Sequence, residues 1–404
     1  MKMLDEKAFQ IYQVSPEYKR FDQKFNMTRR HLWDLFEFRD KFRVKTRMDR
    51  LEKHAPGYSL KDWALHQAGE STHKIAKTDM NVPNRGHSSW SKAFAGLPAG
   101  VEKVNQNPRE ISRHIKTVAR LFGADLVGIT KIDRRWVYSR WFDEETKESY
   151  PILFSDETGQ TVQVPTVRED RTQVIPKGME YAIVMVLSMN QEGMGAAPTL
   201  TQMGTTYIAY AKLGFLTFTV AEFIRGLGYT ALPMINDTAL SVPLAIDAGL
   251  GQAGRHGLLI TPQFGPRCRI CKVLTDLPLE AEWPIDFGVT AFCEGCKKCA
   301  DHCPGGAISK KARSYEAGSV SSNRGVLKWE FNAEKCRKFQ TGSTGTNCGI
   351  CIRVCPYNKS RHWVHSAVRW SIEQFPWSNP FWVRMDEAFS YGKFRDPETF
   401  FWRQ

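Results

Sequence analysis

The 404-residue sequence predicts an α+β or α/β fold, an α/β sandwich joined to a small cysteine-rich domain. Two observations lead to this prediction. Apolar stretches of helix length and of strand length alternate between residues 110 and 280. Eight of the ten cysteines lie between residues 293 and 355. A hydrophobic content of 42% can form a large core in a chain of this length, so we expect more than one domain.

Four segments are predicted along the chain. Residues 1–109 are rich in charged and loop-forming residues, and we expect an N-terminal extension that covers the core. Residues 110–280 form the α/β block and residues 281–362 the cysteine-rich domain. Residues 363–404 are dense in aromatic side chains and are expected to pack over the core as a C-terminal wrap.

Within the α/β block, Tyr181 to Leu187 is an unbroken apolar run of strand length, which is typical of a sheet buried on both faces. Thr206 to Leu227 is predicted to be a long apolar helix that ends at Gly228. Residues 131–177 are predicted to be mostly loop, with a hairpin about Pro151 to Pro165. The other predicted elements are helices at 111–122 and 240–248 and strands at 124–129, 230–234, 257–261 and 269–274.

The cysteine-rich domain has the cysteine spacing of a protein that binds two iron–sulfur clusters. From Cys293 to Pro304 it matches the pattern C-x₂-C-x₂-C-x₃-C-P of bacterial two-cluster ferredoxins. In that pattern three thiolates bind one cluster and the fourth binds the neighbouring cluster. We therefore predict two [4Fe–4S] clusters, the first held by Cys293, Cys296, Cys299 and Cys355 and the second by Cys303, Cys336, Cys348 and Cys351.

A zinc ribbon is the alternative interpretation of this domain, because zinc sites also use paired C-x₂-C motifs. Zinc does not require eight cysteines in two sets of four, with a Cys-Pro pair ending each half, so we favour the clusters. Cys268 and Cys271 lie outside these sets in an apolar, strand-like run. We interpret them as small buried residues of the core.

The net charge of +13 would suit nucleic acid, an anionic membrane surface or an acidic partner, but the basic residues are dispersed and do not choose among these. No membrane span is predicted, because the longest apolar run, Tyr181 to Leu187, is far shorter than the roughly 20 residues needed. No apolar stretch of an export signal follows Arg29-Arg30, and we interpret this pair as part of a solvated helix face.

A glycine-rich stretch follows the predicted short helix of the α/β block. Gly249, Gly251 and Gly254 match G-x-G-x-x-G, but a dinucleotide site requires a strand before this pattern and a helix after it. Here a helix precedes the pattern and a strand follows. We predict instead that these three glycines and Gly257 let the backbone approach a large flat ligand closely.

From about residue 110 to residue 370 the chain resembles the corrinoid-dependent reductive dehalogenases. The resemblance is carried by four segments that lead up to the cysteines. They are Gly123-Ala-Asp-Leu-Val-Gly with Arg135-Trp136 downstream, the stretch from Asn236-Asp-Thr-Ala-Leu to Gly251, the stretch from Gly257-Leu-Leu-Ile to Arg267-Cys-Arg269, and Lys272-Val-Leu-Thr-Asp-Leu-Pro-Leu.

This resemblance implies a nitroreductase-like α/β domain that binds a corrinoid, beside a ferredoxin-like domain with two [4Fe–4S] clusters. It also implies an enzyme that replaces the halogen of a small organohalide by hydrogen. The family's catalytic tyrosine, asparagine and arginine fall on Tyr210, Asn236 and Arg269 of this sequence. Tyr207 and Arg267 are the competing residues for the tyrosine and the arginine.

The resemblance further implies a small membrane-anchor protein and a quinol-linked electron donor as partners. It implies a location on the outer face of the cytoplasmic membrane after removal of a signal that this sequence does not contain. A homodimer is possible within the family, and no nucleic-acid partner is expected. Two alternatives are an epoxyqueuosine reductase, which shares the corrinoid domain and clusters but acts on tRNA, and a non-catalytic iron–sulfur electron carrier.

Overall fold

The computed structural model describes residues 2–3, 13–77, 90, 96–360 and 362–403. Its centre is a four-stranded sheet, the central sheet, in which every neighbouring pair of strands is antiparallel. Ile183, Met185 and their neighbours face one hydrophobic cluster, and Val184 and Val186 face another. The predicted burial on both faces is therefore confirmed. The strands, in spatial order, are Leu126–Lys131, Tyr181–Ser188, Cys268–Thr275 and Ala231–Met234.

Helices cover both faces of the central sheet. On one face lie the helix Pro108–Leu121 and the long core helix Leu200–Gly226, whose apolar residues share a cluster with the strands. On the other face lies the short helix Ser241–Asp247, with Leu244 and Ile246 buried against the sheet. The α/β sandwich predicted from the apolar runs is thus the arrangement observed.

Residues 140–175 form a second small sheet, which the sequence prediction missed. The hairpin predicted about Pro151 to Pro165 is wrong, because Pro151 lies inside a strand that pairs with Arg140 across an earlier turn. That turn is made by charged residues, with Lys147 at a φ of 61°, and has no glycine or proline to mark it. The strands, in spatial order, are Arg140–Phe142, Ser149–Phe154, Gln173–Ile175 and Thr166–Val167.

The long core helix is the one described helix whose length and composition would allow it to cross a membrane. Half of its most apolar window is buried inside the protein. It packs against the central sheet and against the helix Leu60–Lys77, the cover helix. The two helices approach closely at Gly69 and Gly204, where a Cβ on Gly69 would lie 3.0 Å from the carbonyl oxygen of Gly204. This packing accounts for the apolar character of the long core helix.

The N-terminal extension supplies the cover helix and two further helices, Met27–Arg30 and Asp40–Glu52. Lys2–Met3 pairs with Ile285–Asp286 at the start of the cysteine-rich domain. The extension is therefore tied to both halves of the protein. Parts of it, residues 4–12, 78–89 and 91–95, lie outside the described residues.

The C-terminal segment forms the helices Trp363–Gln374, Asn379–Ala388 and Pro397–Phe400. The expectation that its aromatic residues pack is wrong for Trp363, Trp370 and Trp377, whose exposed fractions are 74%, 57% and 81%. Trp382 packs against the core of the cysteine-rich domain, as the sequence predicts for the wrap. The segment thus has one attached face and one aromatic face turned to solvent.

The cysteine-rich domain consists of short helices joined by turns. Buried Arg255, from the glycine-rich stretch of the α/β block, donates hydrogen bonds to the carbonyl oxygens of Cys293, Glu294, Ser309 and Lys311. This side chain attaches the domain to the α/β block. The helices are Val289–Cys296, Lys298–Asp301, Ala333–Phe339 and Ile350–Arg353, and the paired short strands Gln252–Ala253 and Leu259–Ile260 precede them.

Candidate active site and cluster sites

A cavity of about 1260 Å³ lies where the α/β block, the N-terminal extension and the cysteine-rich domain meet. This exceeds the roughly 300–1,000 Å³ of a typical small-molecule site, so the cavity has room for a large ligand and a small one. Aromatic side chains form much of its wall, as expected for a site that takes apolar molecules. They are Trp90, Trp136, Tyr138, Trp141, Phe142 and Trp329.

Tyr210 and Arg269 meet at the wall of this cavity. The guanidinium carbon of Arg269 lies 5.3 Å from the centre of the Tyr210 ring, within the range of a cation–π contact. Tyr210 comes from the long core helix and Arg269 from the neighbouring strand Cys268–Thr275. The Nε atom of Arg269 is buried and has no hydrogen-bond partner among the described residues, so it is available to a group in the cavity.

The competing arginine, Arg267, has a different environment. Its Nη1 atom lies 2.7 Å from the carbonyl oxygen of Met189, and its Nε atom lies 3.1 Å from the side-chain oxygen of Asn358. These bonds join the α/β block to the chain that follows Cys355. Arg267 therefore holds two segments together, whereas Arg269 contacts the cavity tyrosine.

The competing tyrosine, Tyr207, also lines the cavity, one helical turn before Tyr210. It packs between the rings of His66 and His73, at centroid distances of 5.6 Å and 5.8 Å. Burial raises the pKa of the Tyr207 hydroxyl. The charges of Arg43 and Arg47 partly oppose this effect of burial on Tyr207. The guanidinium of Arg269 contacts the ring of Tyr210 directly, and this contact is the geometric difference between the two tyrosines.

Asn236 lies at the cavity wall in the turn that follows the strand Ala231–Met234. The carboxylate of Asp237 accepts the backbone N–H of Ile235 at 3.0 Å, and Thr238 has a φ of 62°. Beneath the turn, the ammonium of fully buried Lys272 lies 2.7 Å from the carbonyl oxygen of Ile235. Burial lowers the pKa of Lys272 to about 8. Hydrogen bonds to the backbone N–H and to the carbonyl oxygen of Ile235 thus hold in place the turn that carries Asn236.

Cavity residues of the N-terminal extension were missed by sequence reasoning, and Arg29, His73 and Trp90 are examples. Arg29 faces the cavity and pairs with Glu144, so the interpretation of the arginine pair as a solvated helix face is wrong for this residue. Trp90 donates a hydrogen bond to the hydroxyl of Thr238 at 3.1 Å. His73 stacks near Tyr210, with ring centres 5.4 Å apart. No local sequence signal marks these contacts, because they join segments more than 100 residues apart.

The four glycines named from the sequence fall into two groups. Gly254 and Gly257 line the cavity. Gly249 and Gly251 contact protein backbone, since an added Cβ would lie 2.6 Å from the Trp283 carbonyl oxygen and 2.2 Å from that of Ile260. The absence of a side chain at Gly249 and Gly251 is therefore explained by the fold itself. An added Cβ on Gly254 would lie 2.6 Å from the Ile260 side chain, whereas one on Gly257 would meet no described atom within 4 Å, so of the four glycines Gly257 has open space beside it.

The cysteines predicted for the first cluster, Cys293, Cys296, Cys299 and Cys355, line one small cavity. His256 lies in the wall of the same cavity. The backbone N–H of Leu258 donates to its Nδ1 atom, so the ring carries its proton on the buried Nε2 atom, for which the described part of the chain offers no partner. Burial lowers the pKa of His256 to about 4, so the ring is neutral near pH 7. It can donate a hydrogen bond to a sulfur in this cavity.

The cysteines predicted for the second cluster also lie together. Burial and then the charge of neighbouring thiolates raise the pKa of the Cys336 thiol to about 11 and that of Cys348 to about 12. Donors are present around the set, with the Gln340 amide 3.3 Å from the Cys336 sulfur and the Ala307 N–H 3.3 Å from that of Cys303. Thiolates at such positions require a bound cation.

The remaining two cysteines, Cys268 and Cys271, belong to neither set. Cys268 and Cys271 are buried in the central sheet, which confirms their interpretation as core residues.

Fold and site together define an iron–sulfur protein with a large cavity beside its cluster sites. Two family models match the chain. The model for a reductive dehalogenase subunit matches residues 141–279. The model for a 4Fe-4S double cluster binding domain matches residues 292–358. The second match confirms the two-cluster prediction for the cysteine-rich domain.

Relatives of known function extend the match over most of the chain. A tetrachloroethene reductive dehalogenase of Sulfurospirillum multivorans is 36% identical over 367 residues, which cover 85% of this chain and 72% of that protein. One of Dehalobacter restrictus is 35% identical over 352 residues, which cover 81% of this chain and 62% of that protein. The chain belongs to the reductive dehalogenase family, as its sequence predicts.

Solved structures share the fold. A reductive dehalogenase structure described as suggesting a mechanism for B12-dependent dehalogenation matches with a TM-score of 0.68 and 21% identity. The match covers 97% of this chain and 49% of that chain, so this chain spans about half the length of that protein. An epoxyqueuosine reductase of Lactococcus garvieae is 32% identical over 157 residues, only 38% of this chain.

Proposed function

We propose that this protein is a reductive dehalogenase that replaces the halogen of a small organohalide by hydrogen. The observation that carries the proposal is the contact of Arg269 with Tyr210 in a large cavity beside two cluster sites. The overall reaction takes two electrons and one proton, releases one halide ion and leaves a carbon–hydrogen bond. Relatives at 35% and 36% identity make tetrachloroethene the first substrate to test.

The cavity suits a corrinoid, and we propose a nitroreductase-like description for the domain that forms much of it. A corrinoid requires a wide, flat space with hydrogen-bond donors around its edge. The cavity supplies the space, Gly257 leaves part of the wall open, and Lys328 and Arg313 offer cationic donors at its edge. When bound, the corrinoid supplies the reduced cobalt centre at which the carbon–halogen bond breaks.

Tyr210 would deliver the proton to the substrate carbon. An isolated phenol with a pKa near 10 is a poor acid at neutral pH, but a fixed positive charge stabilises its anion. Arg269 provides this charge without competing for the proton, because its guanidinium stays protonated. Asn236, held by the turn on Lys272, would orient the hydroxyl or the departing halide through its amide dipole.

Electrons would pass through the two clusters one at a time. The two sets of cysteines are neighbours, since the Cys299 thiolate is close enough to raise the pKa of Cys351 in addition to the effect of burial. Cys299 belongs to the first set and Cys351 to the second. For the electron donor we propose a quinol-linked chain, and for the location the outer face of the cytoplasmic membrane through a small anchor protein. Family membership supports these two proposals.

The test compares two tyrosine variants in protein that contains both cofactors. Tyr210→Phe should retain wild-type iron and cobalt contents and lose dehalogenation of tetrachloroethene under a strong chemical reductant. Tyr207→Phe, on the same helix and the same cavity wall, is the matched control and should keep most of the activity. Full activity in the Tyr210 variant would refute its role as proton donor.

A second measurement addresses the tRNA-modifying alternative. The partial match to an epoxyqueuosine reductase motivates it. We expect the purified protein to bind no tRNA in a gel shift and to dehalogenate at least one compound in a panel of chlorinated and brominated alkenes, alkanes and arenes. A tRNA shift together with inactivity on the whole panel would favour the alternative.

A further inference from the structure

Beside the first cluster site, two lysines and one aspartate form a buried ionic group, the lysine–aspartate triad. The side chains of Lys298, Lys359 and Asp386 are 3%, 11% and 5% exposed. The Lys298 ammonium contacts one carboxylate oxygen of Asp386, and the Lys359 ammonium lies 2.6 Å from the other. Lys298 also donates to the carbonyl oxygen of Tyr391 at 3.2 Å, so its charge has a fixed position.

The triad is attached to the first cluster site through the chain itself. Lys298 lies between Cys296 and Cys299 in sequence, and Lys359 follows Cys355 by four residues. Asp386 comes from the C-terminal helix Asn379–Ala388, which packs on the helix Val289–Cys296. The second set of cysteines contributes no member to the triad. Its own charged neighbours, Arg337 and Arg43, both pair with Asp40, whose side chain is 63% exposed.

The charges of the triad do not cancel. Two ammonium groups and one carboxylate leave one net positive charge, and all three side chains are removed from solvent. Buried charge without compensation is costly, so this excess requires a negative group nearby. Thiolate-bound iron–sulfur clusters carry net negative charge, and reduction adds one more negative charge. The excess positive charge therefore favours the reduced cluster over the oxidised one.

We propose that the lysine–aspartate triad raises the reduction potential of the first cluster, and that Asp386 of the C-terminal helix limits the size of this effect. Lys298, Lys359 and Asp386 are positioning residues for electron transfer, since they act on the cluster through its field. The proposal depends on the clusters and not on the dehalogenation reaction, so a failure of one leaves the other standing.

The charge count predicts that two variants of the triad shift the midpoint potential in opposite directions. Lys359→Gln leaves no net charge in the triad and should lower the midpoint potential of one cluster. Asp386→Asn leaves two positive charges and should raise it. The double variant restores one positive charge and should return the potential towards that of the wild type. The readout is a redox titration of the full-length protein followed by electron paramagnetic resonance, with iron analysis to verify that both clusters are present.

Two controls separate charge from disturbance of the structure. The second cluster is an internal reference, and its potential should move less in every variant. Lys310→Gln removes a charge from the pair Lys310–Asp301, which is also adjacent to the cluster cysteines but is 61% and 48% exposed, and it should leave both potentials unchanged. If Asp386→Asn fails to incorporate iron, Lys298→Gln provides the second test. It removes one positive charge from the triad and should lower the midpoint potential as Lys359→Gln does. Shifts of the same sign in Lys359→Gln and Asp386→Asn, or none in either lysine variant, would overturn the proposal.

Discussion

The ring of Tyr210 contacts the permanently charged guanidinium of Arg269, and this contact gives the first prediction. Arg269→Gln keeps a polar side chain and removes the charge that stabilises the phenolate, so proton delivery should slow. We expect a fall in turnover of about 10²- to 10³-fold, as for loss of one preorganised electrostatic contact in an active site. Steady-state dehalogenation rates measure it, and cobalt and iron contents should stay at the wild-type level.

Arg267→Gln is the matched comparison for the Arg269 variant. Arg267 lies two residues before Arg269, but its side chain bonds to Met189 and Asn358. Its loss should lower the thermal midpoint more than it changes the turnover of the folded protein. Wild-type turnover in the Arg269 variant would remove the arginine from the mechanism.

A second residue-scale prediction concerns Asp247, which accepts a hydrogen bond from the Trp136 indole at 2.9 Å. Burial raises the pKa of this carboxyl to about 7. Between about pH 4 and pH 7 the folded protein therefore keeps a proton that the unfolded chain releases, so the free energy of unfolding falls as pH rises through this range. Above pH 7 the carboxylate is ionised in both states, and burying its charge lowers the free energy of unfolding by a constant amount of up to about 4 kcal/mol.

Asp247→Asn removes this cost and keeps an acceptor for Trp136. The variant should match the wild type near pH 4 and have the higher thermal midpoint above pH 7. Thermal unfolding at a series of pH values, recorded as the difference between the two proteins, measures the effect. A difference that is independent of pH would contradict the assigned protonation of Asp247.

At the scale of elements, the contact of the cover helix with the long core helix places both cavity tyrosines. A Cβ on Gly204 would lie 2.9 Å from the Leu65 side chain and 3.2 Å from the backbone nitrogen of His66. Gly204→Ala should therefore push the helices apart and cost about 1–3 kcal/mol of stability. Chemical denaturation measures it, and activity should fall because Tyr210 lies on the displaced helix.

Gly226→Ala is the matched control in the same helix. Its added Cβ would meet no atom of the described residues within 4 Å, so the higher helix propensity of alanine should leave stability unchanged or raise it slightly. Equal losses in both variants would mean that helix packing at Gly204 is looser than the structure indicates.

Elements that depend on local pattern were predictable, and elements that depend on distant pairing were not. Tyr181–Ser188 is apolar along its whole length, and any sheet buried on both faces requires such a strand. The small sheet of residues 140–175 has strands of two to six residues, and one of its pairings joins strands that are not consecutive in the chain. Such short strands carry too few residues for a period of two to be recognised.

Across the whole molecule, the cluster ligands were predictable because their spacing is local, whereas the cavity wall was not. Arg29, Trp90 and His73 reach the cavity from the N-terminal extension, in which the sequence contains no motif. Buried Asp62 illustrates how the ends of the chain close over the core. It accepts hydrogen bonds from Thr201 of the long core helix and from Trp402 near the C-terminus.

The aromatic C-terminal segment gives the last prediction, because only one of its faces is attached. Trp382 packs on the hydrophobic cluster that contains Cys293 and Cys355 and donates to the hydroxyls of Ser371 and Ser378 at 3.1 Å. Trp382→Ala should cost roughly 3 kcal/mol and open a path for oxygen to the first cluster. About half of the iron–sulfur absorbance should then bleach faster in air than in the wild type. Trp377→Ala, at a side chain that is 81% exposed, should bleach at the wild-type rate. Faster bleaching of both clusters in the Trp382 variant would mean that the C-terminal segment protects the whole cysteine-rich domain and not the first cluster alone.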